Sequence, residues 1–254
     1  MEGFPLARAA TMKALEIDPD LGEAHASLGY IHAAFEWDWI NCEKEFRRSI
    51  ELNPADITPR HWYAALLTLL GRWDQALEEL EKALEIDPLS LILGAMTGWT
   101  LCQMRRYDEA RVELLKTLDL EPNYYPAHLY LARVCILLGR TEQAIAEFGK
   151  TLTMLKDNVT ILAELAHAYA KAERKPEALQ LLGQLLDRSV RGCPSYYLAL
   201  VYAGLQNTDR AFDCLENAAE GRELQLFWFR HEPRFDSLRK DVRYDGLLKR
   251  MNLL

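Results

Sequence analysis

The chain has 254 residues, half of them apolar, and carries a formal net charge of -8. This acid excess argues against nucleic acid as a partner, because a phosphate backbone calls for clustered Lys and Arg. No apolar run reaches the roughly 18 residues of a membrane-spanning helix, no secretory signal begins the chain, and its five scattered cysteines form no C-x-x-C pair, so we expect a cytoplasmic protein with reduced thiols that does not bind membranes.

The first predicted element is a lone helix over residues 6–17. It carries Ala7, Thr11 and Ala14 in the pattern of the later second helices of each pair, and Pro19 follows it. We interpret residues 1–20 as the second helix of a leading repeat, whose partner helix would lie upstream of Met1. Because one apolar side of such a helix lacks a cover, we expect a further domain or a second copy of the chain to pack there.

Small residues then recur at a fixed spacing. The first five lie 34 residues apart at every step and the sixth follows after 33: Cys42, Ala76, Ala110, Ala144, Ala178 and Ala211. Four residues after each of them stands a bulky apolar group: Phe46, Leu80, Leu114, Phe148, Leu182 and Leu215. A period of this length is typical of helix pairs that stack side by side, with small residues where two helices approach to roughly 8–10 Å.

The period predicts six helix pairs at about residues 21–54, 55–88, 89–122, 123–156, 157–189 and 190–221. Proline closes the leading unit and several of the pairs, because it cannot continue a helix: Pro19, Pro54, Pro88 and Pro122. The first pair contains one extra residue near residues 35–39, so we expect its internal turn to bulge. The junction at residues 188–194 lacks the usual proline spacing and is expected to be a longer loop.

The pattern resembles the tetratricopeptide repeat family, and the best unit contains Ala64, Gly71, Ala76, Leu80 and Pro88. This resemblance implies an all-α, right-handed superhelical solenoid of helix hairpins, with about six full repeats, a leading single helix and a region of capping helices at residues 222–254. It also implies a protein that binds protein or peptide partners.

A narrower resemblance concerns several phrases: residues 23–29 (EAHASLG), 37–39 (WDW), 46–54 (FRRSIELNP) and 233–239 (PRFDSLR). Together they are similar to the C-terminal repeat region of bacterial multidomain regulators, which follows a winged-helix, Ser/Thr kinase or nucleotide cyclase domain. Those effector domains are absent from these 254 residues. The chain departs from that subgroup at Glu232, where Asp is usual, and at Asp241-Val242, where Asp-Pro is usual.

No phosphate-binding loop, dinucleotide fingerprint, nucleophile elbow or zinc-protease string occurs in the chain. We therefore expect no enzyme activity, no cofactor and no metal. The histidines of the repeats, His25, His61, His128 and His167, are interpreted as packing or groove-lining residues.

In this family the first helix of each pair lines the concave face of the solenoid. The shared register predicts a peptide-binding groove there, lined by small, aromatic and a few polar side chains: Tyr30, His61, Trp99, Gln103, Leu129, Arg133, His167, Lys171 and Tyr196. Trp99 and Tyr30 would anchor apolar side chains, and Arg133 with Lys171 would meet a carboxylate. An equally open alternative is that Tyr30 and Trp99 only pack between repeats.

The last 34 residues are basic, with eight Lys or Arg against five Asp or Glu. They alternate aromatic and leucine residues with charges, which favours a capping helix pair with a solvated face over a site for an acidic partner. Two functions stay open: a scaffold that binds a peptide or helix in the concave groove, and a sensor module that controls a fused signalling domain through self-association or domain contact.

Overall fold

The computed structural model describes residues 3–187 and 193–254. Within them the chain forms fourteen α-helices, one π-helical turn and two 3-10 helices, and none of the helices combines the length and the apolarity that a bilayer crossing requires. The α-helices are α1 Gly3–Ile17, α2 Gly22–Ile31, α3 Trp39–Leu52, α4 Ile57–Leu70, α5 Trp73–Ile86, α6 Leu91–Gln103, α7 Tyr107–Leu120, α8 Tyr125–Leu137, α9 Thr141–Met154, α10 Val159–Lys171, α11 Lys175–Asp187, α12 Ser195–Gly204, α13 Thr208–Glu220 and α14 Val242–Arg250.

Helices α2 to α13 form six antiparallel pairs, and the second helix of each pair also packs against the first helix of the next. The lone helix α1 packs on α2. The expected all-α solenoid of helix hairpins is therefore confirmed. The junction that we expected to be a longer loop falls largely on residues 188–192, outside the described residues.

The turn inside each pair places one residue in the left-handed backbone region. Gly71 and Gly139 adopt φ angles of 76° and 73°, and Arg105, Glu173 and Gln206 occupy the matching positions with φ between 60° and 68°. Glycine adopts this region at little cost, whereas the other residue types are held there by the packed helices on both sides. The 34-residue period thus sets the turns as well as the helices.

The extra residue of the first pair lies inside a helix and not in the turn. Trp37 has φ 56° and takes the same left-handed turn position as Gly71, 34 residues later. Residues His32–Glu36, directly before it, form the π-helical turn. A π turn accommodates one inserted residue by widening the helix locally, so the turn and everything after it stay in register. We expected the extra residue to bulge the turn itself, and this location was wrong, because the helix before the turn contains the extra residue.

Two glycines allow close contact within a pair. A Cβ atom at Gly98 would lie 2.6 Å from Cγ of Leu114, and one at Gly29 would lie 2.7 Å from the ring of Phe46. Both neighbours are fully buried members of the bulky series that follows the small residues. The recurring small and bulky residues are therefore two sides of one tightly packed seam.

This seam predicts opposite effects of the same substitution at two glycines. Gly98→Ala should lower the free energy of unfolding by about 1–3 kcal/mol, because the added methyl group overpacks the contact with Leu114. Gly149→Ala in α9 meets no atom within 4 Å and should leave stability unchanged or raise it by up to about 1 kcal/mol. Urea unfolding followed by circular dichroism measures both, and equal effects would contradict the packing.

Residues 221–254, called the C-terminal segment below, do not form the expected capping helix pair. They contain two 3-10 helices, Leu224–Trp228 and Pro233–Leu238, followed by the single α-helix α14. The first 3-10 helix packs on the π turn of the first pair, the second on α12, and α14 on α13. The segment therefore runs back from the last pair across the solenoid to the first.

Candidate binding surface

The C-terminal segment is fixed by three sets of contacts to four of the helix pairs. The concave face is the face formed by the first helices of the pairs. Arg105, after α6, donates two hydrogen bonds of 2.7 Å to the carboxylate of Asp236. The indole Nε1 of Trp39, the first residue of α3 in the first pair, donates to the carbonyl oxygen of Met251 at 2.8 Å. The third contact, with α8 and α10, is buried and ionic.

This contact, the buried ion network, consists of Arg133, Glu164, Glu232 and Arg234. The Arg234 guanidinium donates to Oε2 of Glu164 at 2.5 Å and to both carboxylate oxygens of Glu232 at 2.8 Å. Arg133 donates through Nε and Nη2 to Oε1 of Glu164, at 3.0 and 2.5 Å. The side chains of Glu164, Glu232 and Arg234 are at most 1% exposed.

The network holds all four of its groups in the charged form. Burial raises the pKa of the Glu164 carboxyl, but Arg133 and Arg234 outweigh it and bring the pKa below the usual value. Burial lowers the pKa of Arg234, yet Glu164 and Glu232 bring it well above the usual value. The two guanidinium groups and the two carboxylates neutralise one another. Such pairing is needed because an unpaired charge is costly in a buried environment without water.

Between the N-terminal pairs and the C-terminal segment lies a cavity of about 280 Å³, called the aromatic cavity. Its walls come from α2, the π turn, α3, α4, α6, α8 and the first 3-10 helix of the C-terminal segment, and most of its larger side chains are aromatic: Tyr30, Ala33, Ala34, Trp37, Phe46, His61, Trp62, Ala65, Met96, Tyr130, Glu223, Leu224, Phe227 and Trp228. Tyr30 is 39% exposed and places the cavity at the protein surface. An apolar space with few polar groups is typical of a binding site for a small group.

The polar side chains of the aromatic cavity are His61 and Glu223, apart from the hydroxyl groups of its two tyrosines and the indole N–H groups of its three tryptophans. Both oxygens of Glu223 accept backbone N–H groups at the start of α12, from Ser195 at 2.7 Å and Tyr196 at 2.9 Å. Burial lowers the pKa of His61 to about 4, so its imidazole is neutral near pH 7. None of the described residues forms a hydrogen bond with the His61 ring. The His61 ring therefore keeps one donor and one acceptor without a partner among the described residues.

The nine predicted groove residues separate into three groups. Tyr30 and His61 line the aromatic cavity. Lys171 is exposed at the end of α10, whereas Leu129 is partly buried and lines a smaller cavity of about 250 Å³ beside Arg133. The other predicted residues lie on the concave side but are at least nine-tenths buried: Trp99, Gln103, Arg133, His167 and Tyr196.

Trp99 and Arg133, two of the residues that the sequence predicts to contact a peptide, are covered by the C-terminal segment. The Trp99 ring stacks on Tyr130 at 5.1 Å between centroids and meets the edge of Trp228 at 6.0 Å. Arg133 donates a hydrogen bond to the carboxylate of Glu164. The hydroxyl group of Tyr196 donates one to the carboxylate of Glu232 at 3.5 Å. A peptide contact at these residues stays a prediction, and it would require the C-terminal segment to leave the face.

Sequence reasoning missed the contribution of the C-terminal segment, although one signal was present. Residues 227–235 contain four aromatic side chains, Phe227, Trp228, Phe229 and Phe235. Phe229 and Phe235 are fully buried. A capping helix pair with one solvated face has little room for such a density of large apolar groups. Their number indicated a segment buried on several sides.

Only one group of three potential metal ligands occurs within the described residues. It consists of His32, Glu36 and Asp38, whose ligand atoms lie within 4.8 Å of one another. Glu36 is paired with Arg8 at 3.0 Å, and both oxygens of Asp38 accept N–H groups of Asn41. Because these carboxylates already bind protein donors that fix the π turn and begin α3, we assign them a structural role.

The stacked helix pairs and the inner face of small and aromatic residues define a helical-repeat scaffold, a class of protein that acts through protein–protein contacts. The chain belongs to the tetratricopeptide repeat family, since the model of that family matches residues 29–191. No curated protein matches the sequence.

Solved structures share the fold at low sequence identity. A tetratricopeptide repeat protein from Parabacteroides merdae is 15% identical with a TM-score of 0.66, over 98% of this chain and 92% of that one. The protein TTC0263 from Thermus thermophilus is 22% identical with a TM-score of 0.61, over 77% and 99%. A chain of the APC/C Cut9–Hcn1 hetero-tetramer is 17% identical with a TM-score of 0.66, and this chain covers 46% of its length. These likenesses show the fold.

The surroundings of His167 predict how stability depends on pH. Its Nδ1 donates to the carbonyl oxygen of Leu200 at 2.7 Å, and burial, together with Arg234, lowers its pKa to about 4. In the unfolded chain the pKa is about 6.5, so between pH 6.5 and 4 the unfolded state binds one more proton. His167 alone should therefore lower the free energy of unfolding by about 2 kcal/mol between pH 8 and pH 5.

Urea unfolding at the two pH values measures this loss together with those of His61 and His231, whose pKa values burial also lowers to about 4, and an NMR titration of the His167 ring identifies the part that is due to His167. The ring should keep its neutral chemical shift down to about pH 5. A His167 ring that titrates near pH 6.5 in the folded protein would contradict the buried environment described above.

Proposed function

We propose that the protein is a non-enzymatic scaffold that binds a peptide or a helix on the N-terminal part of its concave face, at the aromatic cavity. The observation that carries this proposal is the cavity itself, an aromatic-lined opening on the face where the C-terminal segment leaves Tyr30 and Trp62 accessible. Aromatic side chains dominate binding energy at interfaces because they offer a large apolar area with few rotatable bonds.

The C-terminal segment supports this location because it already occupies the other half of the face. Trp228 covers Trp99, and Arg234 satisfies the carboxylates near Arg133. A partner at the aromatic cavity meets a surface that is already formed and loses little free energy to ordering. Tyr30 and Trp62 lie 5.1 Å apart between ring centroids and form the outer wall of this surface.

The alternative is that the chain is a regulatory module of a larger signalling protein and acts by self-association or domain contact. Helix α1 favours this second proposal, because Leu6 and Ile17 are 73% and 78% exposed. A second copy of the chain or a neighbouring domain would remove these side chains from water. Sedimentation velocity over a range of concentrations tests self-association: a rising mass supports it, and a constant monomer mass contradicts it.

Selection of a peptide library displayed on phage against the full chain tests the scaffold function. Peptides that emerge should bind in isothermal titration calorimetry, and Tyr30→Ala should raise their Kd at least about tenfold, because truncating an aromatic anchor costs 1.4 kcal/mol or more. Tyr125→Ala is the matched control, since Tyr125 has a similar exposure of 43% and lies outside the cavity.

Two results would contradict the proposal. One is a selection in which no peptide is enriched over a library panned without the protein. The other is a set of peptides whose Kd is the same for the wild type and for Tyr30→Ala.

A further inference from the structure

We propose that the aromatic cavity is a specific site for an indole ring, and that the ring is a tryptophan side chain of the bound segment. This inference rests on the proposed function for the source of the ring, while the chemistry of the site rests on the cavity alone. The volume of the cavity, the charges around it and its free hydrogen-bonding groups all favour an indole ring.

The size of the cavity selects a single ring system. A cavity of about 150 Å³ in another protein is known to hold benzene, and pockets for whole drug-sized molecules begin near 300 Å³. The aromatic cavity, at about 280 Å³, lies between them and suits a bicyclic ring. The space exists because Ala33, Ala34 and Ala65 line the cavity where larger side chains would fill it.

The charges around the cavity select a neutral ligand. The aromatic walls already carry cations of the chain itself, since the Arg222 guanidinium lies 4.7 Å from the Trp37 ring centroid and that of Arg133 lies 5.4 Å from that of Tyr130. A ligand cation would gain little from these walls, because the guanidinium groups already use the negative faces of the Trp37 and Tyr130 rings. An anion would meet the carboxylate of Glu223, whose two oxygens are held in place by Ser195 and Tyr196.

The hydrogen-bonding capacity selects a donor on the ring. His61 is neutral and has one ring nitrogen that accepts a hydrogen bond, and none of the described residues occupies it. An indole N–H is a donor without acceptor capacity, so it pairs with this nitrogen and leaves no polar atom of its own unsatisfied. A phenylalanine ring would fill the space but leave the nitrogen of His61 without a partner.

The test titrates the full chain with N-acetyltryptophanamide, with the phenylalanine and lysine amides as comparison probes, by ligand-observed NMR. The tryptophan probe should bind at least about fivefold more tightly than the phenylalanine probe, and the lysine probe should not bind. Ala65→Leu fills part of the cavity without removing a contact and should weaken the tryptophan probe at least about tenfold. Ala146→Leu is the matched control, because Ala146 lies exposed on α9 and should leave binding unchanged.

His61→Phe separates hydrogen bonding from the filling of space. It keeps an aromatic wall and should abolish the preference for tryptophan over phenylalanine. The inference is overturned if the tryptophan probe does not bind, if Ala65→Leu leaves its binding unchanged, or if the lysine probe binds more tightly.

The experiments distinguish a failure of the indole site from a failure of the proposed peptide scaffold. Selected peptides that bind in a Tyr30-dependent way but show no need for tryptophan would uphold the scaffold and overturn the tryptophan anchor. Cavity-dependent binding of the tryptophan probe without any enriched peptide would support the indole site and contradict the peptide scaffold.

Discussion

Arg234 lies between two carboxylates with almost no contact with water, and the arrangement of the inner face depends on this one side chain. Glu164 belongs to the fifth helix pair and Glu232 to the C-terminal segment, so the guanidinium joins two parts of the chain that are 70 residues apart. A buried pair of this kind adds little stability relative to an apolar replacement. We infer that its effect is specificity, because a shifted placement of the segment that kept these groups buried would leave their charges without partners.

The filled half of the concave face limits the surface that is open to the proposed partner. Solenoids of this class offer an inner face as long as the stack, but here the C-terminal segment covers Trp99 and Arg133. The same segment contributes Phe227 and Trp228 to the walls of the aromatic cavity. The segment therefore closes one surface and completes another, and the site combines residues that are nearly 200 positions apart in the sequence, such as Tyr30 and Trp228.

Local periodicity made the solenoid predictable, because small and bulky residues at fixed spacing, as at Ala110 and Leu114, report contacts between neighbouring helices. The same logic placed Tyr30 and His61 on the inner face. Periodicity could not predict where the C-terminal segment packs. The partners of Arg234 and Asp236 lie 70 and 131 residues away in the sequence, and these contacts do not repeat from one helix pair to the next. The π turn was also beyond sequence reasoning, because an inserted residue can be absorbed by a helix or by a turn, and packing decides between them.

A double-mutant cycle between Glu164→Gln and Arg234→Gln in urea unfolding tests the docked segment most directly. The account predicts a coupling energy of about 2 kcal/mol or more, because each single substitution leaves a buried partner uncompensated. The same cycle on the exposed pair Arg210 and Asp213, 3.9 Å apart, should give less than about 1 kcal/mol. Additive effects at Glu164 and Arg234, within about 0.5 kcal/mol, would contradict the contact between the C-terminal segment and the concave face.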